Sequence, residues 1–83
     1  MNLTLDIRGS GLQWIQQYLV RLGGSETAPG VIAGPGWTAA LQGGTHHAFG
    51  TMVPQVTVTF SGDDETVQEA AQRLRLMVHR GGG

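Results

Sequence analysis

Between Gly34 and Gly50 the chain carries five glycines together with Trp37, Phe49 and the adjacent pair His46-His47. A glycine inside a helix or strand costs roughly 0.5–1 kcal/mol relative to alanine. So dense a run has to be made of turns, bends or closely approaching backbone. It also divides the chain, because the segments on either side carry ordinary strand and helix signals. Any fold for this sequence has to be built around that middle.

On the N-terminal side, Leu3, Leu5 and Ile7 alternate with Thr4, Asp6 and Arg8, the period of a half-buried strand. Gly9 breaks the alternation. Ser10 is placed to cap a helix, with Gln13 three residues later completing a capping box. Leu12, Ile15, Leu19 and Leu22 fall on one stripe of that helix, flanked by Trp14 and Tyr18, and Gly23-Gly24 supplies its stop. Residues 25–30 read as loop.

On the C-terminal side, Val56, Val58 and Phe60 alternate with Gln55, Thr57 and Thr59 as a second clear strand. Asp63 is the expected cap of a second helix, with Asp64 and Glu65 at the positive end of its dipole. Its buried stripe is Val67, Ala70, Ala71, Leu74, Met77 and Val78, and Glu69 can pair with Arg73 at i,i+4. Leu76 falls on the outward side of this helix.

For the middle, Gly43-Gly44 is the natural two-residue hairpin turn, since glycine accepts positive φ at both central positions. That register pairs Leu41 with His46 and Ala39 with Ala48, and it places Val31, Ala33, Trp37, Ala39 and Leu41 on one face. Met52, Pro54, Val56, Val58 and Phe60 fall on the same face, so a single long hairpin bent near Gly34-Pro35-Gly36 is expected. His46 would then face the Leu41 side, and His47 the side of Phe49.

The element order is β-α-β-β-α. It predicts a two-layer α+β sandwich: an antiparallel-rich three-stranded sheet, two helices on one face and a long bent hairpin. In topology this resembles a ferredoxin-like fold lacking its last strand. Eighty-three residues provide one core, so residues 1–80 form a single domain and 81–83 a glycine tail. Without cysteine there is neither a disulfide nor a thiolate metal site to staple it.

Only 13% of residues are charged, against about 25% in typical soluble domains. Oligomerisation would cover the weakly polar surface that results. The expected outer sheet face carries Ile32, Val53 and Phe49, which with Leu76 on the second helix are the expected interface residues of a homo-oligomeric binding module. The net charge of −1 makes no electrostatic case for nucleic acid or an anionic membrane. All five cations are arginine and lysine is absent, the mark of GC-rich coding. No signal-peptide pattern or membrane-length apolar run is present, and a cytoplasmic bacterial protein is the expectation.

Three local features point to chemistry. His46 and His47 are the candidate acid/base groups. Adjacent strand residues face opposite ways, so the pair does not converge on one metal, and no metal site or cofactor is expected. Arg8, Gly9, Ser10 and Gly11 lie between a strand and a helix start, where backbone N–H groups could seat an anion or a small ligand. Trp14 stands where a dinucleotide fingerprint needs its third glycine.

Gly81-Gly82-Gly83 follows Arg80. This run resembles the terminal Gly-Gly of ubiquitin-like and sulfur-carrier proteins, which implies a C-terminal carboxylate activated by adenylation. The resemblance is confined to these last residues. The segment before them reads as helix, the element order differs from the β-grasp pattern, and a frayed helix end is the plainer reading.

Overall fold

The alternation at the N-terminus becomes β1 (Asn2–Arg8) in the computed structural model, which describes residues 1–81. The remaining elements are α1 (Leu12–Arg21), β2 (Ser25–Ala28), β3 (Val31–Gly34), β4 (Trp37–Ala48), β5 (Thr51–Gly62) and α2 (Asp64–Gly81). The fold is α+β, with five strands rather than the three expected. Their order across the sheet is β1-β5-β4-β3-β2, and every neighbouring pair is antiparallel. Strands β2 to β5 form a meander, and β1 closes it by pairing with β5. Helix α1 therefore carries the chain from one edge of the sheet to the other.

Two corrections account for the extra strands. The segment expected as loop pairs with β3 as the edge strand β2. The expected bend at Gly34-Pro35-Gly36 is instead a complete reversal, with Gly34 opposite Trp37. Both reversals, Pro29-Gly30 and Pro35-Gly36, put a glycine at φ near +77° (76° and 78°) in the second central position. Proline fixes the first position and glycine tolerates the left-handed second one, which is the pattern of a type II turn.

The long hairpin has the expected faces but a different turn. Ala48 lies opposite Thr51, so the turn is Phe49-Gly50, with φ of 52° and 76° as in a type I′ turn. Leu41 pairs with Val58 and Ala39 with Phe60. Along β4, residues 37, 39 and 41 still share the face of 56, 58 and 60, because the register moved by an even number of residues. Parity cannot detect such a shift.

The core lies between that face and the two helices. Leu5, Ile7, Ile32, Trp37, Ala39, Val56, Val58 and Phe60 supply the sheet side. From the helices come Ile15, Tyr18, Leu19, Val67, Ala70, Ala71 and Leu74. Trp37 meets Phe60 edge to face, with centroids 5.9 Å apart, a favourable aromatic geometry. Glycines make room for its indole. A Cβ on Gly34 would fall within Cζ2 and Cε2 of Trp37 and 2.7 Å from Nε1; one on Gly24 would lie 2.8 Å from Cη2.

The helix ends follow their signals unevenly. Gly23 and Gly24 donate to the carbonyls of Val20 and Leu19, closing α1 in a Schellman motif. At its start the cap is Gly11 rather than the expected Ser10, with no side-chain hydrogen bond from the cap residue. Ser10 is instead buried. Asp63 does cap α2, accepting from the Thr66 N–H at 3.2 Å and the Thr66 hydroxyl at 3.0 Å. Those two bonds favour the carboxylate and hold Asp63 below its ordinary pKa. Glu69 and Arg73 form the expected i,i+4 pair at 2.7 Å.

Candidate functional site

The open face of the sheet does not have the apolar character expected of an interface. Thr4 pairs across β1 and β5 with Thr59, and Asp6 and Arg8 lie opposite Thr57 and Gln55. Gln42, also on this face, is exposed. Ile32 is absent from it. The reversal at Pro35-Gly36 sets Ile32 opposite Ala39 on the helix-covered face, where it is 1% exposed. Val53 is on the open face, half-buried beside His46. Phe49 belongs to neither face: it is the first central residue of the hairpin turn and is wholly exposed. Leu76 is half-exposed on α2.

The new turn also exchanges the histidines. His46 pairs with Val53 and joins the open face, whereas His47 pairs with Met52 on the helix side. The expected orientations are therefore reversed, since residues 44–48 belong to the first arm of the hairpin rather than the second. The two side chains still diverge. Among the described residues no group of three or more His, Asp and Glu side chains comes together as a metal-binding cluster.

The residues considered for an anion seat are largely engaged elsewhere. The Gly9 N–H donates to the Pro54 carbonyl at 2.8 Å, tying the end of β1 to the hairpin. The Arg8 guanidinium lies 3.3 Å from the Asp6 carboxylate, whose other oxygen accepts from Gln55 Nε2 at 2.7 Å. With Ser10 buried, only the capping residue Gly11 remains at the mouth of α1. The aromatics divide: Trp37 and Tyr18 are core, while Trp14 is half-exposed.

Two recesses went unread in the sequence. A groove of about 490 Å³ runs between α1 and the edge strand β2, bordered by Gln13, Gln17, Val20, Arg21 and Glu26. It depends on β2, whose four residues are all exposed and so show no alternation. The other recess, about 250 Å³, lies where the last turns of α2 cross β1, bordered by Asp6, Ile7, Arg8, Arg75, Val78 and His79. Its helical residues have the spacing i, i+3, i+4, a signal that was present in the sequence.

This second recess adjoins the end of α2 at Gly81. Of the glycine tail expected at 81–83, Gly82 and Gly83 lie outside the described residues. Charge is divided along the helix. Asp64 and Glu65 stand in its first turn and His79 and Arg80 in its last, while Glu69, Arg73 and Arg75 lie between. The acidic first turn and Arg80 complement the helix dipole. Among the described residues no helix is long and apolar enough to cross a membrane.

No curated protein matches the chain. A family model does: that described as archaeal MoaD-like protein, which matches residues 3–83.

Proposed function

We propose that this chain, which belongs to the archaeal MoaD-like family, works as a small carrier of the ubiquitin-like or sulfur-carrier type. The observation that carries the reading is the family match, which spans the folded domain and the Gly81-Gly82-Gly83 run together. Glycines at 82 and 83 have no side chains and can thread a narrow channel. With no cysteine in the chain, sulfur would be carried on an acyl carbon rather than on a thiol.

The chemistry follows from the carboxylate. An oxygen of the Gly83 carboxylate attacks the α-phosphorus of ATP and pyrophosphate leaves, giving an acyl adenylate. A nucleophile supplied by a sulfide-level sulfur donor then attacks the acyl carbon. AMP departs, and a thiocarboxylate remains. Intact mass spectrometry after incubation with ATP and extract of the native host tests this: the protein should become heavier by the difference between sulfur and oxygen. A variant lacking Gly83 should stay unchanged. No ATP-dependent mass change in the full chain would refute the reading.

Self-association through the hairpin is a second reading, favoured by one observation. Phe49 combines complete exposure with a left-handed φ of 52°, two costs that an isolated molecule does not recover. Light scattering should then show a dimer or larger assembly that Phe49→Asp dissociates. A monomer at micromolar concentration would remove this reading.

A further inference from the structure

The two edges of the sheet differ. β2 has four residues and a register shift between Glu26 and Ala28, a short and irregular edge that resists the addition of another strand. β1 pairs with β5 over all seven of its residues without a shift, and it contains neither proline nor lysine. Its outward backbone groups can be assigned. The Met1 amine donates to the Gly62 carbonyl, and the Gly9 N–H to that of Pro54. Antiparallel pairs alternate between bonded and unbonded, so the odd-numbered residues of β1 turn their backbone groups toward β5. Asn2, Thr4, Asp6 and Arg8 point theirs away from the sheet, where no described strand pairs with them.

This edge is complementary to itself. About a two-fold axis at Leu5, Thr4 meets Asp6 of a second copy and Asn2 meets its Arg8. Each such pair exchanges both backbone bonds, which satisfies every outward group. Leu3, Leu5 and Ile7 stay on the helix side in both copies. Moving the register two residues toward the C-terminus would set Asp6 against Asp6 and leave Asn2 unpaired.

The helix beside β1 matches in the same sense. The Met1 amine lies 3.2 Å from Asp64, and Ile7 and Arg8 share a recess with Val78 and His79, so α2 runs alongside β1. Glu65, Gln68, Gln72, Arg75 and His79 recur at spacings of three and four, all exposed, within about 40° of one line along α2. Arg75 and His79 border the recess over β1, which puts this stripe on the β1 side. The axis through Leu5 passes near Gln72. Two copies of α2 therefore lie antiparallel, with Glu65 of one toward His79 of the other and with their dipoles opposed. Among the described residues neither Glu65 nor Arg75 is taken up by an ion pair.

We propose that β1 is a self-association edge, through which two copies join into one continuous sheet with their α2 helices side by side. This surface is distinct from the Phe49 turn, and nothing in it depends on the carrier reading.

Sedimentation of the full chain should show a dimer at ~50 μM. Thr4→Pro removes an N–H that the monomer leaves unbonded, and proline is tolerated on the outer side of an edge strand. It should leave the circular dichroism unchanged and raise the dimer dissociation constant about 30-fold or more. Because the chain has no cysteine, single cysteines report position. Gln72→Cys should be captured as a covalent dimer by a bismaleimide of ~8 Å span, the spacing of packed helices. Arg73→Cys, about 100° further round α2, should not. The cysteine pair decides the matter if Thr4→Pro fails to fold. A monomeric wild type at ~50 μM would overturn the proposal. So would a dimer that folded Thr4→Pro leaves intact, or one in which Gln72→Cys is captured no better than Arg73→Cys. Dissociation by Phe49→Asp in that case would assign the contact to the hairpin.

Discussion

Gly34→Ala should destabilise this protein although alanine suits a strand better than glycine does. In a strand free of other constraints the change would gain roughly 0.5–1 kcal/mol. Here the new methyl group would occupy the space of the Trp37 indole, which is 5% exposed and held against Phe60. Forcing a group into a packed core costs about 1–3 kcal/mol, and losing a buried tryptophan from its site about 3–5 kcal/mol. Partial displacement of the ring therefore gives a net loss of about 2–3 kcal/mol, or about 10–20 °C in melting temperature for a domain of this size.

Thermal unfolding by circular dichroism measures the loss. Trp37 fluorescence, read in a Trp14→Phe background, should move to the red as the ring meets water. The cause is separable by a double-mutant cycle, because with Trp37→Leu already in place Gly34→Ala should cost less than about 0.5 kcal/mol. A Gly34→Ala protein that melts at or above the wild-type temperature, with unshifted emission, would refute the packing account.

Other changes probe the remaining features. Phe49→Asn should stabilise the monomer by about 0.5–1 kcal/mol, read as a denaturant midpoint, because asparagine accepts the left-handed position at lower cost. A loss of stability that grows with protein concentration would show instead that Phe49 is buried between copies. Asp63 has a lowered pKa in the folded state. Its contribution is therefore complete above about pH 4 and drains away as pH falls through the lowered value. Asp63→Asn should flatten the melting temperature between about pH 2 and 5; an unchanged slope would assign the acid sensitivity to another carboxylate. Exposed Arg73→Gln should cost no more than about 0.5 kcal/mol, since its pair with Glu69 lies in solvent.

What could be read from the sequence was whatever repeats against a buried face. β1, the second half of β5 and both helices bury one side, so their periodicity is visible in the order of residues. β2 buries nothing, and Ser25-Glu26-Thr27-Ala28 consequently carries no period. The hairpin turn was misplaced because Gly43-Gly44 is the better turn sequence in isolation, whereas the ladder turns at Phe49-Gly50. Pairing along twelve residues on each arm outweighs the local preference of one phenylalanine. The turn at Phe49-Gly50 is what exchanges the faces of the histidines, and the separate reversal at Pro35-Gly36 is what brings Ile32 to the helix side, while Trp37, Val58 and Phe60 lie on that side in either arrangement. The functional end was harder still. A glycine run has no side-chain chemistry, and the recess beside it exists only when α2 crosses β1.

The sheet order also has a consequence in time. Strands β2 to β5 are joined by short reversals and can pair as the chain collapses locally. β1 must find β5 across more than half of the sequence, with Asn2 meeting Ser61. Loop-closure entropy makes such distant pairing slow, so mutations in the β4–β5 hairpin should alter the folding rate, while mutations in β1 should chiefly alter unfolding. Until β1 arrives, β5 offers Val56, Val58 and Phe60 along an open edge. During that interval a second unfinished molecule competes for the place of the chain's own first strand.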